Sequence, residues 1–516
     1  MITYTQQDYL NTLTDAGLVT DSNLYGHAAD SVQGLTYNSK EAASGTLFVC
    51  KGAAFRPEYL ADAVSHGATL YVSEQKFDLN TEVPYILVSD VRKAMPYLGK
   101  LFYNDPSKDL NLIGVGGTKG KSTTAYYVKA IVDDYMASLG KKESAVISSI
   151  DVYDGITKVE SHITTPENIE LMQHFRNAVD SGIDFLEMEV SSQALKYGRV
   201  EQIMFDAAIF LNISEDHISP IEHPDFEDYF SSKLKMFAQT KNALIYTNSD
   251  YFERVAEAAK AAPNVITFGT NEGSDIYGYD IEKVDHEIHF RVKCDRFDEA
   301  FALTMPGLFN VENALATIAV AKLRGIDNQT IAAAYVFNIP VEFMKSGLYR
   351  ARSSGRMETY MSADKNVIAV VDYAHNKLSF DKLFSSTRKE YPDYDIISIF
   401  GCPGKKAFIR RRDLGTIAGM YSKKVYLVAE DPGAEPVEQI SKDIAQYVEA
   451  QHCPYEMIED RGEAIHKAIM EAEGKTILLI TGKGNETRQK YGTEYLDCPS
   501  DVEYTKKYLA EYDAAH

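Results

Sequence analysis

The chain has 516 residues, of which 45% are hydrophobic and 25% are charged, which is ordinary for a globular protein. This length suits about three domains of ~150 residues each. The formal net charge of -22 argues against a nucleic acid or an anionic membrane as the main partner, because both bind basic surfaces. The five cysteines are scattered and lack metal-ligand spacing, so we expect reduced thiols and no zinc site.

The N-terminus lacks the apolar segment of a signal peptide, and no apolar run reaches the length of about 18 residues that a membrane helix needs. We therefore expect a cytoplasmic protein without membrane insertion. We also expect it to be a monomer.

Residues 1–108 alternate short apolar runs with a helical pattern. The runs at 45–50, 68–72 and 85–88 predict strands, and residues 58–66 predict a helix. Such alternation is typical of a small α/β domain. Turn-forming residues at 103–108 place the first predicted domain boundary between residues 108 and 109.

A glycine-rich segment follows, and it reads Gly114-Val115-Gly116-Gly117-Thr118-Lys119-Gly120-Lys121-Ser122-Thr123-Thr124. The apolar run at 110–115 predicts a strand before it, and residues 124–139 predict a helix after it. Backbone N–H groups, the helix N-terminus, Lys121 and the Ser122 hydroxyl can together hold nucleotide phosphates and Mg²⁺. Val115 replaces the first glycine of the strict GxxxxGK[ST] pattern, so a turn that binds nothing remains the alternative. Its flanking elements favour an ATP site.

The rest of the chain predicts two α/β units. Residues 109–345 continue the ATP-binding domain with buried strands at 185–190, 207–211 and 243–246. The last domain, residues 346–516, has strand patterns at 366–371, 396–400, 425–428 and 477–480, separated by helical patterns, which predicts a doubly wound sheet.

Three clusters after the phosphate loop carry chemically useful side chains. Glu187 and Glu189 share one face of a strand, so one of them can reach a metal ion. Asp216 and His217 follow the strand at 207–211, where they are either a hydrogen-bonded surface loop or ligands of Mg²⁺ or phosphate. Lys233 lies on an amphipathic segment, where a solvated lysine is the simplest interpretation. Spacing alone supports only an ATP-dependent enzyme.

Ordered motifs along almost the whole chain extend this interpretation. They are Asn38-Ser39-Lys40, Gly117 to Ser122, Thr164-Thr165-Pro166-Glu167, Met188 to Ala194, Asp216-His217, Lys233, Gly307 to Ala314, Gly355 to Glu358, Asp372-Tyr373-Ala374-His375 and Gly482 to Glu486. In this order the motifs resemble the Mur ligases, and among them the branch that adds the third residue of the peptidoglycan stem peptide. The resemblance implies an α/β protein of three domains: a small UDP-binding domain, a P-loop ATPase-like central domain and a Rossmann-like C-terminal domain that binds the amino acid.

The resemblance also implies a reaction. ATP converts a carboxylate of UDP-MurNAc-L-Ala-D-Glu into an acyl phosphate, and the amine of a diamino acid then displaces phosphate. Catalytic roles fall on Lys121, Glu189, His217 and Lys233, and Lys233 matches the family lysine that is carbamylated to N6-carboxylysine. Two Mg²⁺ ions are implied, with ligands at Ser122, Glu189, His217 and Lys233.

Binding roles follow in the same way. ATP is expected at Gly117, Thr118, Lys119, Gly120, Lys121, Ser122, Thr123, Asn310, Arg356 and Asp372. The UDP-dipeptide is expected at Ser39, Thr164, Thr165, Ser191 and Arg199. Each of these residues has an alternative interpretation as a cap, a turn or a salt-bridge residue. Lys119, Gln193 and Asn485 depart from the commoner family residues, and the first two resemble the lysine-adding branch.

The amino acid is predicted from one further segment. Family members that add meso-diaminopimelate carry Asp-Asn-Pro-Arg, whose guanidinium can pair with the distal carboxylate. This chain reads Glu430-Asp431-Pro432-Gly433-Ala434-Glu435 there, so the arginine is absent. We expect L-lysine, bound by Lys406, Arg411, Asp431, Glu435 and Glu486; meso-diaminopimelate and ornithine are the alternatives, and Glu435 could instead cap a helix that begins near Pro436.

Two other functions compete with this hypothesis. Folylpolyglutamate synthase shares the style of the phosphate loop, but the N-terminal domain, Thr164-Thr165-Pro166 and the Ser191-Ser192 pair argue against it. A catalytically inactive nucleotide-binding scaffold would be expected to lose Lys121, Glu189, His217 or Lys233, and the sequence retains all four.

Overall fold

A computed structural model describes residues 3–52, 55–79, 81–161, 163–216, 218–219, 222–285, 287–323 and 338–516. Within those residues no helix combines the length and the apolar character that crossing a membrane requires. Three α/β units, each built on its own sheet, follow one another along the chain. The predicted fold class is confirmed.

The first unit carries a five-stranded sheet in the order β1-β5-β4-β3-β2, in which only β1 is antiparallel to its neighbour. Its elements are α1 Gln6–Asp15, β1 Val19–Asn23, β2 Gly34–Thr36, β3 Thr46–Val49, α2 Pro57–Ser65, β4 Ala68–Ser73, β5 Tyr85–Val88 and α3 Val91–Phe102. Short 3-10 helices lie at Ser39–Glu41 and Pro106–Asp109. The predicted strands β3, β4 and β5 and the helix α2 are confirmed.

The central sheet has 11 strands within the described residues, in the order β16-β15-β14-β13-β12-β11-β6-β10-β7-β8-β9. Its strands are β6 Asn111–Gly116, β7 Ala145–Ile147, β8 Asp151–Tyr153, β9 Lys158–Glu160, β10 Phe185–Glu189, β11 Ala207–Phe210, β12 Asn242–Tyr246, β13 Asn264–Gly269, β14 Ile276–Val284, β15 Glu287–Lys293 and β16 Asp298–Leu303. Its helices are α4 Lys121–Ser138, α5 Asn168–Asp180, α6 Ser192–Lys196, α7 Phe226–Leu234, α8 Phe252–Ala259 and α9 Asn310–Lys322, with a 3-10 helix at Lys235–Gln239.

The strand order of this sheet determines where its site lies. β6 is parallel to β10 on one side and to β11 on the other, so the chain reverses its direction of strand addition at β6. The carboxyl ends of β6, β10 and β11 therefore open into one crevice, which is where α/β sheets bind ligands.

The third unit has a six-stranded sheet in the order β17-β18-β22-β19-β20-β21 and a separate hairpin of β23 and β24. The helix α10 Val341–Arg350 comes before this unit in the chain and packs on α4, β16 and α9 of the central unit. The elements of the third unit are β17 Glu358–Met361, β18 Val367–Asp372, α11 Lys377–Glu390, β19 Asp395–Phe400, α12 Ile409–Tyr421, β20 Lys424–Leu427, α13 Val437–Glu449, β21 Tyr455–Met457, α14 Arg461–Met470, β22 Thr476–Thr481, β23 Arg488–Tyr491, β24 Glu494–Asp497 and α15 Asp501–Ala515. The four strands predicted here are confirmed as β18, β19, β20 and β22.

Apolar packing joins the units. One buried cluster runs from α4 and α9 into α11 and α12, and another joins the first unit to the opposite face of the central sheet. The helix α10 crosses the predicted boundary at 345/346 and packs on α4, where a Cβ on Gly347 would lie 2.6 Å from the Ile131 Cα. The exact boundaries between the domains stay predictions.

Candidate active site

The phosphate loop connects β6 to α4. Gly117 and Gly120 have φ angles of +136° and +86°, and a Cβ on Gly120 would lie 2.4 Å from the Asn313 Oδ1. Glycine is therefore required at Gly120 by both conformation and space. Because α4 begins at Lys121, its N-terminus lies at the loop and can contribute N–H groups to a bound phosphate.

Three lysines converge on this loop. Lys121 Nζ donates to the carbonyl oxygens of Gly117 and Thr118 at 3.2 and 3.1 Å, and Lys233 Nζ donates to the same Gly117 oxygen at 2.7 Å. Burial, followed by the Lys121 charge, holds the pKa of Lys233 well below its usual value. Burial also lowers the pKa of Lys119 to about 8 and lowers the pKa of Lys121. Buried amines this close together make a pocket that favours anions.

A carboxylate and two hydroxyls lie beside the lysines. Glu189, at the end of β10, is 1% exposed and accepts from the Ser149 N–H at 2.8 Å and the Ser149 hydroxyl at 3.0 Å. The Ser122 and Ser149 hydroxyl oxygens are 3.1 Å apart. Arg356, from the third unit, donates to the Ser122 hydroxyl at 3.3 Å. The central and C-terminal sheets thus meet at the phosphate loop.

A cavity of about 80 Å³ lies between the loop and the C-terminal sheet, and Lys119, Gly120, Thr123, Asn313, Arg356 and Asp372 are among its lining residues. Asp372 is held in place by the N–H groups of Met357 and Ala374, at 2.9 and 2.8 Å. Asn310 lies behind the lining, where it donates to the Pro306 carbonyl and accepts from Asn313. The side chain that faces the cavity is therefore Asn313, and a direct role of Asn310 stays a prediction.

Four of the residues predicted to bind the UDP-dipeptide lie near the end of β10. Thr165 donates to the Glu189 carbonyl oxygen at 2.9 Å and to the Ser191 hydroxyl at 3.3 Å, and Arg199 donates to the Thr165 carbonyl oxygen at 3.2 Å. Thr164, half-buried, adjoins Thr165.

The first unit joins this group through one carboxylate. Glu167 pairs with Arg199 and with Lys51, both at 3.0 Å. The Lys51 Nζ lies 4.5 Å from the centre of the Tyr37 ring. Tyr37 comes two residues before Ser39, which is buried. The predicted residues of both units therefore border the same region.

A cavity of about 520 Å³ separates the hairpin of β8 and β9 from the C-terminal unit. Lys483, which is 3% exposed, pairs with Asp431 at 3.0 Å and with Glu486 at 2.5 Å. Tyr373 donates to Glu486 at 2.6 Å. Asp431, Glu486 and Lys483 together carry a net charge of about -1, so a cation can pair with their carboxylates, while Arg356 and Arg488 line the same cavity and can pair with a carboxylate.

Two family models match the chain: the Mur ligase middle domain over residues 115–321, and the glutamate ligase domain of Mur ligases over residues 355–484. A UDP-N-acetylmuramyl-tripeptide synthetase of Lactobacillus acidophilus is 34% identical over 97% of this chain and 96% of its own. The chain belongs to the Mur ligase family. It is an ATP-dependent ligase of the branch that makes the tripeptide.

Two further likenesses concern the amino acid. A UDP-N-acetylmuramoyl-L-alanyl-D-glutamate–L-lysine ligase of Streptococcus agalactiae is 35% identical to this Mur ligase over 92% of each chain. A solved UDP-N-acetylmuramoyl-L-alanyl-D-glutamate–2,6-diaminopimelate ligase is similar in fold, with a TM-score of 0.64, 21% identity and coverage of 99% of this chain and 100% of its own. The lysine ligase is similar in sequence along almost the whole chain, whereas the diaminopimelate ligase shows a likeness of fold alone.

Not every predicted contact of the amino acid faces the larger cavity of this Mur ligase. Arg411 donates to both Glu435 carboxylate oxygens, at 2.9 and 2.8 Å, and to Asp443 at 2.7 Å. The two residues thus bind each other, so their roles toward the substrate stay predictions. Glu435 does not cap α13 either, whose N-cap is Pro436 without a side-chain hydrogen bond. Lys406 is exposed on the turn before α12.

The predicted metal ligands can be tested only in part. His217 lies outside the described residues, and those residues contain no group of three or more His, Cys, Asp or Glu side chains that could hold a metal ion. Ser122 and Glu189 nevertheless offer oxygen ligands, which Mg²⁺ prefers, and the Ser149 hydroxyl lies within hydrogen-bond distance of both side chains. The neutral form of the Lys233 amine, which its lowered pKa favours, is the form that CO₂ carbamylates.

The sequence analysis did not identify a group of hydrogen-bonded side chains around the buried His223, next to Ser191. His223 lies between Asp228, 2.6 Å from its Nδ1, and Ser192, 3.0 Å from its Nε2. Its neighbour Glu222 accepts from Gln193 at 3.3 Å. Gln193 and its neighbour Ser192 therefore contact Glu222 and His223, respectively. The unusual Gln193 was the feature of the sequence that could have indicated this contact.

Proposed function

We propose that this Mur ligase joins L-lysine to UDP-MurNAc-L-Ala-D-Glu, with ATP and two Mg²⁺ ions. The observation that carries the choice of lysine is the pair of carboxylates, Asp431 and Glu486, that lines the larger cavity, together with Gly433 at the arginine position of the diaminopimelate-adding enzymes. The lysine-ligase relative from Streptococcus agalactiae supports the same choice.

The first step brings two anions together. A carboxylate oxygen of the dipeptide attacks the γ-phosphorus of ATP, ADP leaves, and an acyl phosphate forms. Lys119, Lys121 and Arg356 offset the repulsion between these anions and stabilise the charge on the transferred phosphoryl group. Ser122 and Glu189 would hold one Mg²⁺, and His217 with carbamylated Lys233 the other. When bound, the ions neutralise phosphate charge.

The second step needs an amine at the acyl carbon. The α-amino group of the incoming residue attacks, and inorganic phosphate leaves through a tetrahedral intermediate. Thr164, Thr165, Ser191 and Arg199 hold the dipeptide, with Ser39 at its UDP end. The larger cavity lies between the β8–β9 hairpin of the central unit and Arg356 of the C-terminal unit, and the amino acid approaches through it from the C-terminal unit.

The side-chain ammonium distinguishes lysine from its competitors. It brings a positive charge to Asp431 and Glu486, whereas diaminopimelate would also bring a carboxylate to the same acids. Ornithine has a shorter stem that leaves its ammonium short of Asp431. The two acids give no comparable advantage to glutamate, whose side chain is itself a carboxylate, and this argues against the reaction of folylpolyglutamate synthase.

Release of inorganic phosphate tests the proposal. It should require ATP, Mg²⁺, UDP-MurNAc-L-Ala-D-Glu and a diamino acid together, with L-lysine giving the highest kcat/KM among L-lysine, meso-diaminopimelate, ornithine and glutamate. Release with folate and glutamate, and not with the UDP-dipeptide, would replace this function by its rival.

A further inference from the structure

Two side chains of the C-terminal unit reach a single carboxylate of the central unit. Asn376 Nδ2 donates to Asp216 Oδ2 at 2.5 Å, and Arg410 Nη2 lies 3.8 Å from Asp216 Oδ1. The Asp216 side chain and Asn376 are each 7% exposed. This buried contact between two units lies beside the phosphate loop, not at a distant surface.

The same carboxylate holds the phosphate loop. Lys119 Nζ lies 3.4 Å from Asp216 Oδ2. The Lys119 backbone N–H donates to Asn212 Oδ1 at 2.8 Å, and Asn212 Nδ2 returns a hydrogen bond to the Lys119 carbonyl oxygen at 3.1 Å. The segment from Asn212 to Asp216 and the loop are thus tied at three points, so a shift of Asp216 moves the Lys119 ammonium.

Asn376 uses both ends of its amide. Its Oδ1 accepts the Ser379 N–H at 3.1 Å and caps α11, while its Nδ2 donates to Asp216. A carboxylate at this position would keep the cap, because aspartate and asparagine are equally good N-caps, but it would lose the donor. The two functions of the side chain can therefore be separated by a single substitution.

We propose that Asn376 is a positioning residue that acts through Asp216: when the C-terminal unit docks, its amide fixes the carboxylate that holds Lys119 toward the nucleotide phosphates. The inference rests on the proposed function for the role of Lys119. Docking of the C-terminal unit and nucleotide binding are then coupled, and by reciprocity a bound nucleotide favours the docked arrangement.

Asn376→Asp tests this coupling. We expect at least ~10-fold weaker binding of a non-hydrolysable ATP analogue by calorimetry, and a similar loss in kcat/KM for ATP, because a charged hydrogen bond is replaced by two facing carboxylates. The variant should still fold, because the cap of α11 is kept, and a far-UV circular dichroism spectrum equal to that of the wild type checks this.

Asn366→Asp is the matched control. Asn366 Nδ2 also donates to a carboxylate, that of Asp364 at 2.7 Å, but both residues belong to the C-terminal unit and lie away from the cavities described above. This variant should bind the ATP analogue as the wild type does. An equal loss in both variants would overturn the inference, since it would trace the effect to added charge.

The reversed pair Asp216→Asn with Asn376→Asp supplies the rescue. An amide at 216 can donate to a carboxylate at 376, so the double variant should bind the analogue several-fold more tightly than Asn376→Asp. Wild-type affinity in Asn376→Asp would overturn the proposal. So would a double variant whose loss of binding free energy equals the sum of the losses in Asn376→Asp and Asp216→Asn measured singly. Analogue binding does not depend on the amino acid, so failed ligation of L-lysine with coupled binding would refute only the proposed function.

Discussion

Replacing Asp431 by Asn removes one negative charge from the wall of the larger cavity with almost no change of shape. The Asp431 Oδ1 accepts from Lys483 Nζ and from the Lys490 N–H, and an asparagine Oδ1 can accept from both. Asp431, Glu486 and Lys483 together carry a net charge of about -1, so the substitution brings the charge of this group of three to about zero. We expect the fold to persist and the binding of the substrate ammonium to weaken.

The size of the effect follows from the exposure of the group. A hydrogen bond to a charged group is typically worth about 1.5–3 kcal/mol. The Asp431 side chain is 26% exposed, so solvent screens part of its charge and the lower end of that range applies. A loss of about 1.5–2 kcal/mol corresponds to a kcat/KM for L-lysine that is about 10- to 30-fold lower.

Steady-state phosphate release at varied L-lysine measures this loss. The lower kcat/KM should come from a higher KM for lysine. The KM for ATP should not change, because Asp431 does not line the nucleotide cavity. Glu494→Gln, which removes a charge from the exposed strand β24, is the control and should behave as the wild type. An unchanged KM for lysine in Asp431→Asn would show that the ammonium binds elsewhere.

Three further substitutions probe the phosphate loop and its sheet. Lys121→Ala should lower turnover by on the order of 10²-fold or more, and near-normal phosphate release would contradict its role. Lys233→Ala should be inactive but folded, with partial rescue by added short carboxylates; activity without them would make Lys233 structural. Burial raises the pKa of Glu187 from 4.5 to about 8, so the folded state keeps a proton that the unfolded chain loses at lower pH, and stability falls as the pH rises from about 4.5 to about 8. Urea unfolding of Glu187→Gln should lack this fall between about pH 5 and about pH 8, and a profile equal to that of the wild type would refute it.

Strand and helix positions followed well from periodicity, because buried strands and amphipathic helices have distinct apolar spacing. The run at 110–115 and the glycines after it predicted β6 and the phosphate loop, which the structure confirms. The pairing of β6 with both β10 and β11 could not be predicted in this way, since strand order depends on packing between segments far apart in the sequence.

The sequence predicted the contacts between the side chains of the site less completely than it predicted the strands and helices. Motifs identified Lys121, Lys233 and Glu189 as neighbours, and their contacts around Gly117 and Ser149 agree with that grouping. Spacing could not reveal that Lys483 pairs with both acids predicted to bind the substrate ammonium, because Asp431 follows β20 whereas Lys483 and Glu486 follow β22. The pairing of Arg411 with Glu435 was hidden in the same way, because Arg411 lies on α12 and Glu435 precedes α13.

Competition between equal concentrations of L-lysine and meso-diaminopimelate tests the central claim most directly. With ATP, Mg²⁺ and UDP-MurNAc-L-Ala-D-Glu present, the mass of the UDP-tripeptide product reports which amino acid was added. The carboxylates of Asp431 and Glu486 and the absence of an arginine at Gly433 predict that lysine predominates. Predominant incorporation of diaminopimelate would contradict this account of the cavity, although the ATP-dependent ligase reaction would stand.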